Sequence, residues 1–177
     1  MNKKLNIGVI SCSVMAQLHM KAVIDHPNAE LYMICDINEA LLNETAAKYN
    51  ISRKTTDYRQ MLADPAVDAV IIVTPDQTHR EISVAALEAG KHVLCEKPMA
   101  LTLDDCKAMI DAAAKAKTKM RVGQICRYTP GFVAAKNLIE RGEIGELFFV
   151  ETEYAHDYAH IDVEWRLDPL RHGFLGG

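Results

Sequence analysis

The chain has 177 residues, 49% hydrophobic and 25% charged, the proportions of an ordinary soluble globular protein able to bury a sizeable core. Its net charge is -4 and the basic residues form no block, which argues against a general nucleic-acid surface and a polybasic membrane patch. The apolar stretch after Lys3 and Lys4, residues 5–10, is too short for a signal-peptide core or a spanning helix, so the expected location is the cytoplasm.

In chain order, residues 5–10 read as a short strand and 14–26 as a helix, with Leu18, Ala22 and Val23 at helical spacing before Pro27. Residues 30–36 form a second expected strand, and Asn38 caps a helix running to about residue 49. Asp57 followed by Gln60 has the spacing of a capping box for a short helix through Leu62. The run 69–73 is apolar and largely β-branched, as in a strand covered on both faces. Thr78 and Glu81 have capping-box spacing for a helix that closes at Gly90, a residue suited to the left-handed C′ position. Residues 92–96 are another expected strand, Thr102 and Asp105 start a helix through about residue 117, and 121–125 read as a further strand. Beyond it come an expected helix over 130–141, stopped by Gly142, a strand over 147–154, and a His-, Asp-, Pro- and Gly-rich remainder.

Strands alternating with helices across short connections predict an α/β fold built on a doubly wound parallel sheet. Ligands of such sheets gather at the carboxyl ends of the strands, here the loops after Ile10, Asp36, Val73, Cys95 and Gln124. Cysteines stand at 12, 35, 95, 106 and 126 without C-x-x-C spacing, and Cys35, Cys95 and Cys126 fall in runs read as strands. They are expected to be small buried thiols in a reducing compartment, without disulfides.

The first strand-helix turn contains Ser11, Cys12, Ser13, Val14 and Met15. A dinucleotide turn needs glycines that let a pyrophosphate approach the helix N-terminus, and serines occupy two of those positions. A serine hydroxyl can bond phosphate, but its Cβ penalises positive φ and narrows the approach. Asp36 ends the second strand, where a carboxylate accepts from both ribose hydroxyls and repels a 2′-phosphate, favouring NAD over NADP.

Two later loops, Thr74-Pro75-Asp76-Gln77-Thr78-His79 and Cys95-Glu96-Lys97-Pro98, flank Gly90-Lys91-His92-Val93. With 142–147 and 165–169, this stretch resembles the Gfo/Idh/MocA oxidoreductase family over nearly the whole chain. The resemblance implies a Rossmann domain over residues 1–124 and an incomplete second α/β domain over 125–177, the start of a substrate and oligomerisation domain. It implies hydride transfer between NAD(P) and a sugar, polyol or related small carbinol. Ser11 to Met15 would face the pyrophosphate and Asp36 the adenosine ribose. Thr74, Pro75 and His79 would line the cofactor, with Glu96, Lys97 and Gln124 on the nicotinamide side. Lys97 is the expected catalytic residue, and Arg127, Trp165 and Arg166 match positions near the substrate; Trp165 fits a core aromatic as well.

Metal binding is not expected: His156 and His160 converge only on a helix, and the preceding segment reads as a strand. The chain departs from the family at Ser11 and Ser13, and it ends at Gly177, before the family's Asp- and His-bearing helix. Two readings therefore stand: a truncated NAD-dependent oxidoreductase with little turnover and a tendency to self-associate, or a non-catalytic Rossmann remnant that binds nucleotide weakly or serves assembly.

Overall fold

The computed structural model describes residues 4–153 and residue 155. Those up to Gly123 form one compact unit, and those from Gln124 onward a second. The first unit holds β1 (Leu5–Ile10), α1 (Val14–Asp25), β2 (Ala29–Cys35), α2 (Glu39–Tyr49), β3 (Lys54–Thr55) and α3 (Tyr58–Ala63). It continues through β4 (Ala69–Ile72), α4 (His79–Glu88), β5 (His92–Cys95), α5 (Leu103–Lys115) and β6 (Met120–Val122). The second contains α6 (Pro130–Glu140).

All six strands join one parallel sheet in the order β3-β2-β1-β4-β5-β6. The chain winds outward in both directions from the β1/β4 pair, which makes that pair the switch point. Successive residues of a strand face opposite sides, and β4 divides accordingly. Val70 and Ile72 pack with Met61, Ile82, Ala86, Leu87 and Met109 on one face. Ile71 packs with Ala16, Met20, Val23, Leu42 and Ala46 on the other. The unalternating apolar run of β4 is thus the consequence of burial on both faces. On β1, a Cβ at Gly8 would collide with the fully buried Met61 thioether, so the absence of a side chain lets α3 settle on the strand.

Local signals account for most helix ends. The side chains of Ser13, Asn38, Asp57 and Thr102 accept backbone N–H groups in the first turns of α1, α2, α3 and α5. Gly90 closes α4 at φ 73 and Gly142 follows α6 at φ 70. Four details differ from the sequence expectation. Thr78 does not cap α4: a 3-10 turn over Asp76–Thr78 leads directly into the helix, and the Thr78 hydroxyl turns back toward Thr74 Oγ1 and the Pro75 carbonyl. Glu81 is drawn instead to Tyr58 and Arg59, and Gln60 to the Thr55 hydroxyl. β6 is shorter than expected and gives way to a 3-10 turn over Ile125–Tyr128, which leaves Cys126 exposed. Residues 147–153 form no strand. A strand is completed by a neighbour's backbone, no described strand pairs with this segment, and Phe148 stands 96% exposed.

Among the described residues, no helix is long and apolar enough to cross a membrane.

Candidate functional site

The carboxyl ends of β1 and β2 meet at the first turn. Ser11 has φ 111, a backbone conformation natural to glycine and strained with a Cβ. Its hydroxyl accepts the Ser13 N–H at 3.1 Å. Ser13 itself is unstrained at φ -58 and caps α1 through the Ala16 N–H. Asp36 follows β2; Cys12 N–H donates to its Oδ2 at 2.7 Å and Asn38 N–H to its Oδ1 at 2.8 Å. The turn is therefore partly self-satisfied. Among the described residues, no acceptor takes the first-turn N–H groups of Val14 and Met15, which remain at the positive end of α1. An anion donor set and a ribose-type carboxylate thus lie side by side, and these residues fit a dinucleotide.

At the carboxyl end of β5, Glu96 is mostly buried and both its oxygens are engaged. Oε1 is 2.8 Å from His19 Nε2 and Oε2 accepts the Lys97 N–H at 2.9 Å. Burial raises the Glu96 pKa, but the His19 hydrogen bond, the Lys97 amide and the charges of both residues outweigh it and hold the carboxyl below its ordinary value. Lys97 is exposed, on the same sheet edge as Asp36. Three inter-strand steps of about 4.8 Å separate β2 from β5, so these ends stand roughly 14 Å apart across the switch point.

Between them lies the loop after β4. Thr74 is half-buried and Pro75 exposed. His79, by contrast, is 1% exposed, its ring nitrogens 2.8 Å from the Pro98 carbonyl and 2.9 Å from the Thr74 carbonyl. Where the family resemblance implies a cofactor-lining histidine, the structure has a buried clamp joining the β4 and β5 loops.

In the second unit, Gln124 is exposed at the start of the 3-10 turn. Arg127 is exposed and lines a groove of about 580 Å³ with Cys126, Tyr128, Phe132 and Lys136. Trp165 and Arg166 lie outside the described residues, as do His156 and His160. Sequence reasoning missed His19. The only available signal was a histidine on the buried side of a helix that starts at the expected nucleotide turn, and its partner is 77 residues away.

A parallel, doubly wound sheet with a carboxylate after β2, a helix N-terminus after β1 and an exposed lysine after β5 is the arrangement of a dinucleotide-binding α/β domain. The chain belongs to the Gfo/Idh/MocA oxidoreductase family, whose NAD-binding Rossmann fold matches residues 5–124. It is 34% identical over 175 residues to levoglucosan dehydrogenase of Pseudarthrobacter phenanthrenivorans, covering 93% of this chain and 45% of that protein. It is 34% identical over 149 residues to inositol 2-dehydrogenase of Salmonella typhimurium, covering 82% of this chain and 44% of that one. Among solved structures it resembles scyllo-inositol dehydrogenase from Lactobacillus casei with bound NAD(H) and scyllo-inositol, with TM-score 0.77 and 27% identity over 81% of this chain and 43% of that one. The chain thus spans less than half the length of these relatives.

Proposed function

We propose that this chain is the cofactor-binding part of an NAD-dependent dehydrogenase acting on a polyol or sugar. The observation that carries the reading is the placement of Asp36 and Lys97 at the carboxyl ends of β2 and β5, on either side of the switch point. Asp36, already oriented by two amides, has lone pairs left for ribose hydroxyls, and its charge disfavours a 2′-phosphate. The Val14 and Met15 amides and the α1 dipole serve the pyrophosphate. NAD, when bound, supplies the acceptor for the hydride that leaves the carbinol carbon. In the oxidation direction the carbinol O–H proton passes to water; Lys97 Nζ donates to the oxygen, orients it, and stabilises the negative charge left by that proton until hydride loss turns the C–O bond into a carbonyl. Its neighbour Glu96 stays ionised and holds the Lys97 amide.

Titration of the chain with NADH and NADPH, followed by fluorescence, tests the binding half of the proposal; the expected result is saturable NADH binding with a clear preference over NADPH. Assay with inositols and anhydrosugars tests the chemistry, and Lys97→Met is expected to lower kcat by about a hundredfold or more while leaving NADH affinity within a few-fold. Absence of saturable NADH binding would sink the reading. It would favour the second one, a non-catalytic module, which the self-satisfied and strained Ser11 turn supports.

A further inference from the structure

Glu96 is held from three directions. His19 projects from the middle of α1 and approaches Oε1 at 2.8 Å; a carboxylate only accepts, so the proton of this bond sits on His19 Nε2. The Lys97 N–H donates to Oε2 at 2.9 Å. Behind the carboxylate runs the backbone of Gly123, just past β6, where a Cβ would stand 3.4 Å from the carboxyl carbon and from each oxygen. The His19 and Glu96 side chains are 22% and 13% exposed, so solvent screens this contact far less than a surface ion pair. The pair joins the helix whose first turn faces the nucleotide site to the loop that carries Lys97.

We infer that His19 is a positioning residue: by fixing Glu96 it sets the backbone at Lys97, and through it the direction in which the Lys97 side chain leaves the sheet edge. The inference rests on the dehydrogenase reading only for its catalytic consequence; the positioning itself is a property of the chain alone. Without the His19 donor, Glu96 is left with one partner and is free to rotate away from Gly123 toward water. The Lys97 N–H then loses a fixed acceptor, and the ammonium five bonds beyond Cα samples more directions. The cost of such a loss falls on orientation at the reacting oxygen rather than on cofactor affinity.

The test compares His19→Leu, which keeps bulk without a donor, with His19→Gln, which keeps a donor at similar reach. Amide hydrogen exchange by NMR on the cofactor-free chain is the first readout. Exchange at the Lys97 amide is expected to rise about tenfold in His19→Leu, to return to near the parent rate in His19→Gln, and to leave Val70 and Ile71 in β4 unchanged. Turnover with NAD and a polyol is the second: kcat is expected to fall about tenfold or more in His19→Leu, with NADH affinity held and recovery in His19→Gln. An unchanged Lys97 amide in His19→Leu, or no recovery in His19→Gln, overturns the inference. Should His19→Leu fail to fold, Glu96→Asp, too short by one methylene to reach both partners, is judged by the same amide criterion. A parent chain that shows the exchange pattern but no turnover with any polyol leaves the positioning intact and counts against the dehydrogenase reading alone.

Discussion

Ser11 and Ser13 occupy equivalent-looking places in the first turn, yet the backbone separates their roles. Ser11 carries the positive φ, so Ser11→Gly relieves strain, withdraws the hydroxyl from the Ser13 N–H and opens the approach to the turn. Stability is expected to rise by about 1 kcal/mol, and NADH to bind several-fold tighter. Ser13→Gly removes an unstrained cap, costs a few tenths of a kcal/mol, and brings no such gain in affinity. Thermal melts and NADH titration of the two single variants check this. Equal effects from both, or weaker binding in Ser11→Gly, would show that the turn's conformation does not limit the cofactor. The serine substitution was visible in the sequence; which of the two bears the strain was not, because φ depends on how the turn closes onto Asp36.

Elements are tied together here by buried polar clamps at loop ends. His79 joins the loops after β4 and β5 at the carboxyl edge of the sheet. At the opposite edge, Lys91 is only 6% exposed, and its Nζ donates to the Asp64 carbonyl at 2.7 Å and the Val67 carbonyl at 2.9 Å. This bridge fastens the segment between α3 and β4 to the start of β5. Lys91→Met retains much of the stem but abandons both acceptors, and is expected to cost about 2 kcal/mol in urea denaturation with little effect on NADH affinity, since the nucleotide edge is at the far end of the strands. A neutral result would mean that water replaces the ammonium there. The Gly-Lys-His-Val segment was legible as a family feature; that its lysine is a structural clamp could be seen only once the α3–β4 loop was in place.

For the molecule as a whole, the fold keeps three thiols inside its core. Burial, ahead of the nearby Asp36 charge, pushes Cys12 up to about 11 and Cys35 up to about 12, and burial likewise pushes Cys95 up to about 12. A raised thiol pKa means that the folded chain holds its protons where the unfolded chain has begun to release them. The associated stability is complete below the ordinary value near 9 and is lost as pH rises from there through 11–12. Denaturation midpoints are therefore expected to fall steeply between pH 9 and pH 11, and less steeply in a Cys12→Ala/Cys35→Ala/Cys95→Ala variant corrected for its own baseline stability. Under native conditions at pH 8, thiol reagent is expected to modify the exposed Cys126 promptly and these three only on unfolding. Parallel slopes for the two proteins above pH 9 would remove the thiols as the cause.

The alternation of apolar strands with capped helices determined the doubly wound sheet without coordinates, because hydrophobic period, cap residues and short connections are local properties. The same local reasoning reached Asp36, which follows a strand; Lys97 was singled out by the family resemblance of its loop. It failed where a partner was needed from elsewhere in the chain. The two-residue β3 is a strand only by pairing with β2, and 147–153 is apolar enough for a strand but has no described neighbour to complete one. The meeting of His19 with Glu96, the clamps of His79 and Lys91, and the strain at Ser11 likewise arise from contacts between segments distant in sequence. Periodicity carries no information about such contacts; packing of the helices on the sheet creates them.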